Sequence, residues 1–94
     1  MWRIAGAHDG VVEDESYATK RDAVRRLIND HDGTAKLSRG AAGFYSALVT
    51  GCEGREHEYV VYKAGNDGVR PAHWYYGGEG FEYTLASEID WERW

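Results

Sequence analysis

The chain of 94 residues holds one cysteine, one proline and one methionine. A lone Cys52 excludes an internal disulfide and the two-cysteine zinc and redox motifs. A lone Pro71 excludes a proline-rich linker, and nothing repeats at the roughly 20–50-residue period of solenoids or propellers. No apolar run approaches the roughly 18–20 residues of a membrane span, and the start Met1-Trp2-Arg3-Ile4 does not read as a signal peptide. Positive charge is also scarce: 11 Lys and Arg face 16 Asp and Glu, a formal net charge of −5. That balance argues against a general DNA coat, which needs an excess of cations to neutralise phosphates. A reduced, cytoplasmic setting is the simplest reading, with no membrane partner. No composition break marks a boundary, so residues 1–94 read as one domain.

What is present is apolar and aromatic. The hydrophobic fraction of 43% and aromatic fraction of 14% are too high for a disordered tail, despite 29% charged residues. A chain of this size hides only roughly 60–65% of its unfolded surface, so large aromatics carry much of a thin core. The charges are unevenly spread. Residues 1–47 carry seven basic and seven acidic side chains, whereas residues 48–94 carry four and nine, so the whole excess lies in the second half. That half also holds nine of the thirteen aromatics. Residues 20–39, by contrast, are net +3. A basic helix and an acidic, aromatic sheet are the implied halves.

Period and punctuation place the elements. Trp2 to Gly6 reads as a short strand ending in the turn signal His8-Asp9-Gly10, and Val11 to Glu15 reads either as a second short strand or as loop. Thr19 followed by Asp22 has the Thr-x-x-acid form of a helix start. Ala23, Val24, Leu27 and Ile28 then recur at helical spacing until Gly33 closes the element. Residues 34–43, rich in Gly, Ala and Ser, read as loop. Phe44 to Thr50 and Arg55 to Lys63 read as a hairpin about Gly51-Cys52-Glu53-Gly54. Asn66-Asp67-Gly68 marks a turn, His73 to Tyr76 a strand, Gly77 to Gly80 a turn, and Phe81 to Ser87 a strand with Phe81, Tyr83 and Leu85 on one face. Ser87 to Asp90 again has the Ser-x-x-acid form, so a short C-terminal helical turn carrying Trp91 and Trp94 is expected. The predicted fold is α+β: a small antiparallel sheet of about four to six strands with one amphipathic helix, about residues 20–32, on one face.

Several constellations compete for a function. On the helix, Arg21, Arg25 and Arg26, with Lys36 and Arg39 beyond it, form a candidate nucleic-acid-binding set, although any amphipathic helix needs a polar outer face. Glu58, Glu79 and Glu82, with Trp74 and Tyr75 nearby, form a candidate protein-binding set. Carboxylates on a sheet steer and aromatics anchor, although charges also keep sheets soluble. The pairs His8-Asp9 and His31-Asp32, and the run Glu56-His57-Glu58, raise a small His/Asp-dependent enzyme as a third reading. None of the four histidines has metal-ligand spacing, and on a strand His57 points away from both glutamates. The glycine turns lack the helix and the Lys-Ser or Lys-Thr of nucleotide loops. No cofactor, metal or catalytic residue is therefore expected.

In size, acidity and absence of catalytic motifs the chain resembles the small inhibitors encoded by phages and mobile elements, anti-CRISPR proteins among them. The resemblance implies a stoichiometric inhibitor or modulator of a larger, basic-surfaced protein, such as one that handles nucleic acid. An edge strand or an exposed Trp94 would also suit a homodimer.

Overall fold

Alternation along extended chain sends side chains to opposite faces, and here one face collects Ile4, Leu37, Ala47, Val49 and Val61, all buried. These positions come from four strands of the computed structural model, which describes residues 1–39, 43–65 and 82–94. The strands are β1 (Trp2–Gly6), β2 (Thr34–Arg39), β3 (Phe44–Thr50) and β4 (Glu56–Lys63), and a two-residue β5 (Thr84–Leu85) completes the sheet. Among the described residues every strand pairing is antiparallel, in the order β1-β4-β3-β2-β5. One helix, α1 (Lys20–His31), packs across β1, β2, β3 and β4. The fold is α+β. No helix among the described residues is long and apolar enough to cross a membrane.

The helix forms where its sequence signals stand. The Thr19 hydroxyl accepts from the Asp22 N–H at 3.1 Å, satisfying one of the free donors of the first turn. Ala23, Val24 and Leu27 are buried and Ile28 lies against the same core, which Ile89 joins from the C-terminal segment. Asp32, with φ 49° and ψ 49°, is the left-handed residue after the helix, and the Gly33 N–H bonds back to the Ile28 carbonyl. Gly33 therefore serves a different need from the expected one. A Cβ there would lie 1.8 Å from the Thr50 carbonyl oxygen, so glycine lets the chain pass the end of β3.

Two expectations are corrected. The segment read as loop over residues 34–43 is β2 through Arg39, because Ala35 and Leu37 alternate into the core while Thr34, Lys36 and Arg39 are exposed. Its small residues hide the period until pairing with β3 supplies the context. Of the strand expected from Phe81 to Ser87, the described residues 82–87 pair at Thr84–Leu85 alone, against Leu37 and Lys36. Ala86–Glu88 turns into a 3-10 helix, and bonds from Arg93 and Trp94 N–H to the Asp90 carbonyl form the expected final turn. The segment after β1 is neither full strand nor free loop. It runs back along β1 through isolated bridges, Ala5 to Val12 and Trp2 to Tyr17, and so covers an edge that would otherwise offer unpaired backbone groups. The readings for residues 66–81, including the strand His73 to Tyr76, lie outside the described residues.

A second, smaller cluster on the opposite sheet face joins Ala5, Ala7, Phe44, Val60 and Tyr62. The helix-side core is the larger, and Leu37 at its centre tests the corrected reading. Leu37→Ala is expected to lower stability by about 2–5 kcal/mol in urea unfolding, the cost of a buried leucine. A leucine on a surface loop would cost less than about 0.5 kcal/mol.

Candidate functional site

The five basic candidates do not form one patch. Arg21 and Arg25 are exposed and one helical turn apart. Arg26, half-buried, is consumed by structure: its guanidinium bonds Glu13 Oε1 at 2.6 Å and the Tyr17 hydroxyl at 2.9 Å, and pairs with Asp30 one turn on. Burial works against its charge, but the Glu13 hydrogen bond and the Glu13 and Asp30 carboxylates outweigh it, so its pKa is raised. Arg39 lies over the Trp94 ring, 4.6 Å from the centroid, and donates to the Arg93 carbonyl at 2.9 Å. Lys36 is paired in register with Leu48 and faces away from the helix. A five-cation nucleic-acid track therefore does not assemble.

Arg39 belongs to a corner of rings and cations that fastens the C-terminal segment. Lys20 Nζ sits 4.8 Å from the Tyr45 ring centroid and 5.5 Å from that of Trp2. It also donates to the Tyr45 hydroxyl at 3.0 Å, which in turn donates to the Trp94 carbonyl at 2.6 Å. Trp94 is half-buried in this stack, so the exposed tryptophan tail considered for a homodimer is not what the chain presents.

Among the acidic candidates, Glu58 is brought into an assembly that its neighbours in sequence did not reveal. The β1–β4 register sets Gly6 against Tyr59, which lays the turn after β1 beside the start of β4. His8 Nε2 lies 3.3 Å from Glu58 Oε2. An open cleft of about 310 Å³ results, with Asp9, Glu56, Glu58, His8, His57 and Tyr59 in its lining. The two motifs read separately, His8-Asp9 and Glu56-His57-Glu58, are thus one place. Glu82 is exposed but belongs to the far edge of the sheet, with β3 and β2 between it and Glu58. Three strand spacings make that roughly 14 Å. Trp74, Tyr75 and Glu79 lie outside the described residues.

Asp9 was legible only as a turn residue: its carboxylate accepts the Val11 N–H at 2.9 Å, and the cleft appears only when the turn is placed on β4. His57, on the helix side of β4, stacks on His31 at 4.3 Å between centroids, and His31 Nε2 is 2.7 Å from the Tyr59 hydroxyl. Two of the histidines raised for the enzymatic reading thus meet, while Asp32 is exposed in the helix cap. Among the described residues no group of three His, Cys, Asp or Glu is placed to hold a metal ion.

Tyr17 and Tyr59 contribute an alkaline pH dependence. Burial raises the Tyr59 pKa, with the Glu13, Asp30 and Asp9 charges adding to it and Arg26 opposing. Tyr17 is raised by burial and by its hydroxyl's bond to Glu15, with Arg26 again opposing. In the unfolded chain both would release their protons near pH ~10. Their contribution to stability is then complete below that pH and is lost as pH rises through the higher folded values. Urea unfolding across that alkaline range should show stability falling, and Tyr17→Phe/Tyr59→Phe should make the fall shallower. An unchanged slope would assign it to other groups.

No family model, curated protein sequence or solved structure matches this chain.

Proposed function

We propose that the protein is a non-catalytic binding module whose acidic cleft receives basic side chains of a larger protein. The observation that carries the reading is the cleft's composition: Asp9, Glu56 and Glu58 converge on it, and its described lining contains no lysine or arginine. An arginine guanidinium entering there can meet a carboxylate through two parallel hydrogen bonds, the strong form of such contacts. Glu58 already partners His8, which leaves Asp9 and Glu56 as the further carboxylates of the lining. The surplus of negative charge in residues 48–94 favours encounter with a basic surface, over a distance of about a Debye length.

Such a module acts by occupancy, as a stoichiometric inhibitor or modulator does. It covers a basic surface that the partner uses for something else. Glu79 and Glu82, with Trp74 and Tyr75 as apolar anchors, are proposed as further partner contacts apart from the cleft.

Titration of a labelled arginine-rich peptide, followed by anisotropy, tests the cleft directly. Binding should weaken by at least about tenfold in Glu56→Lys/Glu58→Lys, in line with ~1.5 kcal/mol or more for charged contacts. It should also fall steeply with added salt. Both glutamates are partly exposed, so the folded state should persist. Unchanged affinity after the reversal would remove the cleft from the proposal.

A further inference from the structure

A different surface, on the flank of α1, has the opposite electrical character. Two open cavities of about 210 and 280 Å³ adjoin there, and Arg21 and Trp91 belong to the lining of both. Val24, Ile28 and Ala86 line the smaller together with Arg25, and Trp2 lines the larger beside Lys20. The described lining of the pair contains no carboxylate. Lys20 is held by the Tyr45 hydroxyl. Arg21 and Arg25 are both exposed, and among the described residues neither has an ion-pair, hydrogen-bond or ring partner. Arg26, a neighbour on the same helix, is fully engaged by Glu13, Tyr17 and Asp30. The helix therefore spends one arginine on structure and leaves two at the rim of an apolar groove.

We infer that this groove docks a short acidic segment of another protein, with apolar side chains in the two cavities and carboxylates on Arg21 and Arg25. Charge complementarity selects the sign of the occupant, since the only charges in the described lining are positive. The size selects its kind. Each cavity is smaller than the roughly 300–1,000 Å³ of a small-molecule site, and two side-chain-sized sockets divided by a common Arg21–Trp91 wall suit successive apolar residues of one extended segment. The first turn of α1 adds the partial positive charge of its free N–H groups on the same side. A nucleic-acid strand fits less well. The cations that would continue a phosphate track are turned elsewhere, Arg26 to Glu13, Arg39 to Trp94 and Lys36 to the opposite sheet face.

The test uses the full chain and a short labelled peptide in which glutamates alternate with leucine and phenylalanine, read by fluorescence anisotropy at physiological ionic strength, where the groove is screened from the acidic cleft. Saturable binding is expected, weakened at least about tenfold by Arg21→Ala/Arg25→Ala, as loss of charged hydrogen bonds predicts. Both side chains are exposed and have no polar partner among the described residues, so an unaltered melting temperature should accompany the loss. A peptide with lysines replacing the glutamates should show no dependence on Arg21 or Arg25. Glu56→Lys/Glu58→Lys should leave acidic-peptide binding intact, which separates this groove from the acidic cleft. Three results would each overturn the inference: no saturable binding, binding indifferent to the double arginine substitution, or displacement of the peptide by a short single-stranded oligonucleotide that binds more tightly through the same arginines.

Discussion

The antiparallel pairing of β1 with β4 is the constraint on which the other features depend. It places the first strand at the sheet edge beside β4, with β3 between β4 and β2. The chain leaving β1 must therefore cross the sheet before it can enter β2, and α1 is that crossing. The apolar stripe of Ala23, Val24 and Leu27 is buried because the route lies over Ile4, Val61, Ala47 and Leu37. The same pairing carries the turn after β1 alongside the start of β4, where Asp9 joins Glu56 and Glu58. One register thus produces both the core and the acidic cleft.

A second set of contacts keeps the connecting segment from peeling away. Backbone bonds between Trp2 and Tyr17 run in both directions, and Glu13 N–H donates to the Ile4 carbonyl. Arg26 reaches from the helix to Glu13 and Tyr17 of that segment, tying the covering strap to α1. Burial opposes its charge, but the hydrogen bonds and carboxylates satisfied together outweigh that cost. Beside Trp2, Lys20 and Arg39 hold Tyr45 and Trp94 by ring-cation contacts. Basic residues that composition alone offers to an outside partner are here used to lock irregular chain onto the sheet.

This explains how far the sequence could be read. The helix, β1 and the β3–β4 hairpin were legible because each carries its own period and its own punctuation. β2 was not, since Ala35 and Ser38 contribute little hydrophobic contrast and only long-range pairing with β3 reveals which face is buried. The short β5 and buried Ile89 depend on contacts with β2 and α1, which no local pattern encodes. For the site, Glu58 was singled out for its charge alone. Its association with Asp9 is separated by 49 positions of sequence and follows from strand register. The division of the arginines was equally hidden: Arg25 and Arg26 are adjacent, yet a rotation of about 100° around the helix axis sends one to solvent and the other to Glu13.

The net charge of −5 therefore says less about partners than its placement does. The acidic cleft lies at the Gly6 end of β1 and the arginine-rimmed groove at the Trp2 end. Four residue steps of extended chain separate them by roughly 13 Å. That exceeds the Debye length of about 8 Å at physiological ionic strength, so each surface is largely screened from the other. An approaching segment then responds to the nearest side chains, and the two regions recognise opposite charges although one sign dominates the chain. Only at low ionic strength, where the screening length grows to ~30 Å at 0.01 M, does the total charge act as a whole, favouring a basic partner at the cleft and opposing an acidic one at the groove.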